Sequence, residues 1–71
     1  MKKYSVVIAN RHQTSISLEP EFYDEMVNIA KSKNITINQL ITQIDASRQI
    51  NNLSSALRVY VLEHLKSKIQ I

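Results

Sequence analysis

The chain has 71 residues, a formal charge of +3, no cysteine and no glycine. Without cysteine there are no disulfides, the two histidines, His12 and His64, are too isolated for a structural zinc, and no apolar run approaches the roughly 20 residues that span a membrane. Ordering each residue costs about 1.5 kcal/mol, so a lone core in so short a chain is marginal, and association with a second copy is the expected source of stability.

The start, Met1-Lys2-Lys3-Tyr4, is basic, but the apolar run behind it, Val6-Val7-Ile8-Ala9, is too short for the core of a signal peptide. A cytoplasmic location is therefore expected. Charge is unevenly distributed. Residues 1–17 hold Lys2, Lys3 and Arg11 and no acid, whereas residues 18–30 hold Glu19, Glu21, Asp24 and Glu25 and no base. With glycine absent, left-handed turn positions fall to asparagine. Asn10, Asn34 and the pair Asn51-Asn52 sit where the pattern breaks.

In chain order, residues 5–8 are β-prone and are a candidate first strand, with Asn10 turning the chain. Residues 12–18 alternate: Thr14, Ile16 and Leu18 point one way, and Gln13, Ser15 and Ser17 the other. A helix over about 20–33 opens at Pro20, which suits a first helical turn. Its early acids complement the positive end of the helix dipole, and Phe22, Met26, Ile29, Ala30 and Lys33 form one stripe. Thr36-Ile37-Asn38-Gln39 reads as a capping box. It opens a second helix over about 36–48 with Leu40, Ile41 and Ile44 on its apolar face. Asn52 or Ser54 caps a third helix over about 53–67. Its broad apolar stripe is Leu53, Ala56, Leu57, Tyr60, Val61, His64 and Leu65, with Arg58, Glu63, Lys66 and Lys68 mostly facing away.

The polar-faced strand at 12–18 needs hydrogen-bonding partners for its backbone. If its only partner is the same strand of a second copy, a two-fold antiparallel ribbon results, with Gln13, Ser15 and Ser17 repeated on its outer face. Such a ribbon fits the DNA major groove; glutamine can pair with adenine N6 and N7, and serine with most bases. Phosphate binding would come from the second helix N-terminus, at Thr36 and Asn38. Lys2, Lys3 and Arg11 would contact the flanking backbone.

The run Thr14-Ser-Ile-Ser-Leu-Glu-Pro-Glu-Phe22, followed by Asn34-Ile-Thr-Ile-Asn38, resembles the ribbon-helix-helix class, that of the Arc and MetJ repressors. The continuation from Asn52 to Leu65 resembles a short bacterial subfamily with an added C-terminal helix. The resemblance implies a mainly α fold with a short N-terminal β-ribbon, a ribbon-helix-helix dimer plus a third helix, in a single domain over 1–71. Ile16, Leu18, Phe22, Met26, Leu40, Ile41 and Ile44 would make the dimer core. It also implies base reading at Gln13, Ser15 and Ser17, and a phosphate clamp at Thr36 and Asn38. Position 13 is glutamine where this subfamily often shows arginine, which shifts preference from guanine towards adenine. Asn34 stands where the family often has glycine.

Plainer roles stand beside these. Gln13, Ser15 and Ser17 also suit a solvent-facing strand, and capping alone explains Thr36. His12 reads as a surface residue, His64 as a core-edge histidine, and Phe22 and Tyr60 as core. No nucleophile with a base, no glycine-rich phosphate loop and no metal cluster can be read. Neither enzymatic activity nor a cofactor is therefore expected. The expected partners are double-stranded DNA and a second copy of the chain, with higher assembly left open. The expected role is regulation of transcription, as a repressor. The competing reading is a dimeric protein-interaction module, such as an antitoxin, in which the third helix, residues 5–8, or the terminal Ile69 and Ile71 contact a partner.

Overall fold

The computed structural model describes residues 1–69. Two strands, β1 (Lys2–Ile8) and β2 (His12–Leu18), precede three helices, α1 (Pro20–Ser32), α2 (Ile37–Ser47) and α3 (Leu53–Lys68). β1 and β2 form an antiparallel two-stranded sheet in which Lys2 faces Leu18 and Ile8 faces His12. The three helices pack beneath one face of it, and Ile71 lies outside the described residues.

The sequence leaves open whether the candidate strand at 5–8 pairs within the chain or across a dimer interface; here it pairs with the strand at 12–18 of its own chain, along the whole length of that strand. β1 is longer than the apolar run at 5–8 because Tyr4 anchors its first half: the Tyr4 ring stacks on Tyr23 of α1 with centroids 3.9 Å apart and planes within 1°. Between the strands, Ala9 (φ 55°) and Asn10 (φ 61°) are both left-handed, and the Arg11 N–H donates to the Ile8 carbonyl at 3.2 Å. Two successive left-handed residues match the right-handed twist of the flanking strands. Asparagine tolerates that conformation; alanine does so at a cost.

α1 ends as its sequence suggests. Asn34 takes φ 60°, its N–H donates to the Lys31 carbonyl and the Ile35 N–H to the Ala30 carbonyl, both at 3.0 Å. These are the two bonds of a Schellman motif. α2 starts with the expected capping box: Thr36 Oγ1 accepts the Gln39 N–H at 3.1 Å, and Gln39 Oε1 accepts the Thr36 N–H at 2.8 Å. Asn52, not Ser54, caps α3, its Oδ1 accepting the Ser55 N–H at 3.0 Å.

The core closes within one chain. Val6, Ile16 and Leu18 from the sheet meet Met26, Ile29 and Ala30 of α1, Leu40, Ile41 and Ile44 of α2, and Ala56, Leu57 and Val61 of α3. Leu18, Met26, Ile41 and Leu57 are 0% exposed. Burying a large aliphatic side chain is worth about 1.5–3 kcal/mol. Of the residues assigned to a dimer core, six are therefore already buried without a second copy, and Phe22 is half-buried against them. The third helix and β1 join α1 and α2 in closing this core.

Side chains from the helices reach both outer edges of the sheet. On the β1 side, Thr42 Oγ1 accepts the Ala9 N–H at 3.1 Å, and Asn38 Oδ1 accepts the Val7 N–H in a longer contact of 3.4 Å. On the β2 side, Ser54 Oγ accepts the Ser17 N–H at 3.1 Å, and the Arg58 guanidinium donates to the Ser17 carbonyl at 3.0 Å. Arg58, expected to face away, turns back onto the sheet and pairs with Glu19 at 2.9 Å. That side-chain hydrogen bond, joined by the Glu19 backbone bond, holds the Glu19 carboxyl below its ordinary value.

Two expectations follow. Ala9→Gly removes the left-handed penalty of about 1–2 kcal/mol at the cost of some backbone entropy, for a net gain of about 0.5–1 kcal/mol. Urea unfolding should show a higher midpoint, and an unchanged or lower one would contradict the turn geometry. Because the folded Glu19 is depressed, its contribution is present above the unfolded value and fades as pH falls through the folded one. Arg58→Ala should thus lower the thermal midpoint at pH 7, and the gap to the parent chain should narrow by pH 3. A gap of constant size would mean that Arg58 acts through Ser17 and packing alone.

Candidate nucleic-acid interface

Alternation sends every second side chain of the ribbon away from the core. On β2 these are Gln13 and Ser15, both exposed, and Ser17, half-buried beneath α3 side chains. The register places Val7 opposite Gln13, Ser5 opposite Ser15 and Lys3 opposite Ser17. The outer face is thus a two-by-three array of Lys3, Ser5 and Val7 beside Ser17, Ser15 and Gln13. It contains no acidic residue and, at its centre, two serines that add little bulk above the backbone.

The direction of the edge bonds sets the spacing. The Val7 and Ser17 amides donate outward to helices, away from the opposite strand. The pairs that share the outer face are therefore the ones without mutual hydrogen bonds, whose Cα atoms lie closer, at about 4.5 Å. Opposed side chains on this face sit near enough to address neighbouring edges of one base pair.

The two ends of the face differ. At the turn end, the N-terminus of α2 abuts β1 through Asn38 and Thr42. A concavity of mixed polar and apolar lining there is formed by Val7, Asn10, Ile35, Thr36, Asn38 and Gln39 among others. In the capping box the Thr36 N–H donates and its hydroxyl oxygen accepts, which leaves the hydroxyl proton to donate elsewhere, and the Asn38 carbonyl oxygen tethers β1. The Ile37 and Asn38 amides, at the first two helical positions, have no intrahelical acceptor by the geometry of a helix start. Together with the Asn38 side-chain NH2 and the Thr36 O–H, they are what this terminus can offer an anion. Arg11 is exposed in the same turn.

At the other end, Lys3 is exposed on the outer face. Lys2 is on the opposite face: its ammonium lies 5.5 Å from the Tyr4 ring centroid. The five positions assigned to phosphate are therefore not one patch. Thr36, Asn38 and Arg11 gather at the turn, Lys3 marks the far end, and Lys2 points to the core side. The acids are kept to that side as well. Partial burial, then the charges of Asp24 and its neighbours Tyr23 and Glu21, raises the Tyr4 hydroxyl above its ordinary value.

Sequence reading missed Ser5 and Val7 as members of the outer face, and Arg58 as a cation at its edge. The alternation of β1 carries a signal for the first two, since Tyr4, Val6 and Ile8 share the opposite parity. Arg58 carries none, because its partner Glu19 is 39 positions away in the chain.

Elsewhere, α3 leaves Leu62 53% and Val59 39% exposed, and Ile69 lies 71% exposed just beyond the helix. Beside them a groove between the end of α2 and α3 is lined by Ile44, Ile50, Val59 and Tyr60 together with Arg48 and Glu63, among others. Among the described residues no helix is long and apolar enough to cross a membrane, and no group of three metal-ligating side chains comes together. No curated relative and no solved structure matches the chain. A family model described as a ribbon-helix-helix domain does match, over residues 1–65. With both strands, the capping box and all but the last three residues of the third helix inside that span, the chain belongs to the ribbon-helix-helix family.

Proposed function

We propose that this protein is a sequence-specific DNA-binding regulator of transcription, working in the cytoplasm as a homodimer that sets its antiparallel ribbon into the major groove. Ribbon-helix-helix domains generally bind DNA, in transcription regulators or antitoxins. The observation that carries the reading for this chain is the outer face of the ribbon, which is polar, short and free of acid. Gln13 presents an amide suited to adenine, and Ser15 and Ser17 present hydroxyls that donate or accept at most bases. Affinity comes from phosphates: the α2 amides with Asn38 and Thr36 beside Arg11 at the turn, and Lys3 at the far end; Lys2, on the core side, is left out of this set. A dimer seated over its operator excludes other proteins from it, so the effect is repression.

The core does not require the second copy, so the dimer rests on other grounds. The family generally forms dimers, and the exposed Val59 and Leu62 give α3 an apolar surface to share. The same surface favours the second reading, a protein-interaction module of antitoxin type, in which a different protein covers α3.

Selection of fragments from random double-stranded DNA by the purified protein should yield one preferred sequence. Its affinity should fall linearly with salt on logarithmic axes. Gln13→Ala should relax that preference at one base pair, by about 1–3 kcal/mol of discrimination. Recovery of one stoichiometric protein partner with no selected DNA sequence would favour the second reading.

A further inference from the structure

We propose that α3 is an interface between copies of this chain, in which two α3 helices pack antiparallel and exchange two ion pairs, Glu63 of each with Lys66 of the other. This rests on the homodimer part of the function proposed above and deepens it, and it uses none of the groups assigned to DNA. Three observations carry it.

The first is the spacing of what α3 leaves uncovered. Ala56, Leu57 and Val61 are buried in the core, whereas Val59, Leu62, Lys66 and Ile69 are exposed. Those four lie three, four and three positions apart, the alternation by which a helix keeps one seam turned towards another helix. Ile69 follows the last residue of α3 but stays on the seam, because its N–H donates to the Leu65 carbonyl at 3.2 Å. Apolar residues scattered singly over a surface need no partner; three on one stripe form a patch.

The second is charge, which selects the occupant and its direction. Lys66 lies on the seam and Glu63 flanks it; among the described residues neither makes an ion pair. Two parallel copies in register would set Lys66 against Lys66 and Glu63 against Glu63. Two antiparallel copies, with the two-fold axis at the level of His64, set Lys66 beside the partner's Leu62 and the partner's Glu63, and Val59 beside the partner's Ile69. Symmetry repeats each contact. The Lys66 ammonium then meets a carboxylate while its methylene stem covers a leucine.

The third is the groove beside the seam. Ile44, Ile50 and Tyr60 adjoin Val59 and Glu63 there, and Ile50 is exposed. The antiparallel register brings the partner's Ile69 to this apolar wall. Arg48, also in the groove, is taken by Asp45 at 3.0 Å and does not compete for Glu63.

α3 has 16 residues and is therefore about 24 Å long. A contact of one such face falls below the roughly 800 Å² per partner of a standard interface, so the pairing is reversible and grows with concentration. It leaves the sheet edges untouched, and so adds one step of assembly to any pairing made through the strands.

The test is sedimentation equilibrium of the full-length chain over about 1 μM to 1 mM, the range set by so small a contact. The variants are Leu62→Glu, Glu63→Lys, Lys66→Glu and the double Glu63→Lys/Lys66→Glu, each first shown to melt like the parent. The parent should double in mass as concentration rises. Leu62→Glu should abolish that step, and each single charge reversal should weaken it about tenfold. The double reversal should restore it to within about threefold of the parent. Direction is read separately, since the chain has no cysteine. Val59→Cys mixed with Ile69→Cys should oxidise to a disulfide between positions 59 and 69. Val59→Cys alone should not link to itself, its twin lying about 15 Å further along the axis. Self-linkage of Val59→Cys would overturn the antiparallel packing. If the copies associate but neither Leu62→Glu nor the charge reversals loosen them, α3 is not the joining surface, and the inference falls while the homodimer stands. If the mass stays that of one chain throughout, both fall.

Discussion

The structure depends on the antiparallel pairing of β2 with β1 inside one chain. Seven residues of polar-faced strand expose amides and carbonyls that must be satisfied. A ribbon-helix-helix chain that left this strand alone would have to borrow a partner. Here the preceding seven residues fill that place. The pairing fixes which side chains face the helices and which face outward, and a slip of one residue would exchange the two sets. The core and the proposed reading face are thus two sides of the same hydrogen-bonding register.

The helices do more than cover the apolar side. An isolated two-stranded hairpin is marginal in water, and its free edges invite further strands. Polar side chains of α2 and α3 close part of each edge, at opposite ends of the sheet. The same contacts orient the charged and polar groups around the ribbon. Asn38 joins the start of α2 to β1, and Arg58 brings a guanidinium to the end of β2 while neutralising Glu19. Acid is thereby confined to the core side and the turns of α1, which leaves the outer face free of charges that would repel DNA.

Much of this was legible from local chemistry. Pro20, the Thr36–Gln39 box and Asn34 each satisfy backbone groups within a few residues, so their roles can be read without knowing the fold. The apolar stripes of all three helices were visible for the same reason: helical period is a local property. What escaped was long-range. Backbone pairing of β1 with β2 leaves no side-chain signature that separates an internal partner from a twin. Ser54 looks like a helix cap in the sequence because serine caps helices, yet its hydroxyl serves Ser17, 37 positions away. Arg58 looked like a solvated charge because nothing near it in sequence could hold it. The candidate interface was half legible: the β2 row follows from alternation alone, and the β1 row needed the register.

An internal ribbon changes what a dimer of such a chain is for. Where two chains each give one strand, separation destroys the reading surface and uncovers the core, so folding, dimerisation and recognition stand or fall together. In this chain the buried core and a two-stranded sheet both lie within one copy. On the function proposed above, a dimer contributes a second copy of this face, and with it spacing: two half-sites would lie about one turn of DNA, roughly 34 Å, or a multiple apart. Affinity gained in this way depends on effective concentration, hence on the rigidity of the contact between copies. On that proposal the exposed face of α3 would bear on operator length and the ribbon on operator sequence, and the two could vary independently because the apolar groups exposed on α3 lie outside the core that holds the ribbon.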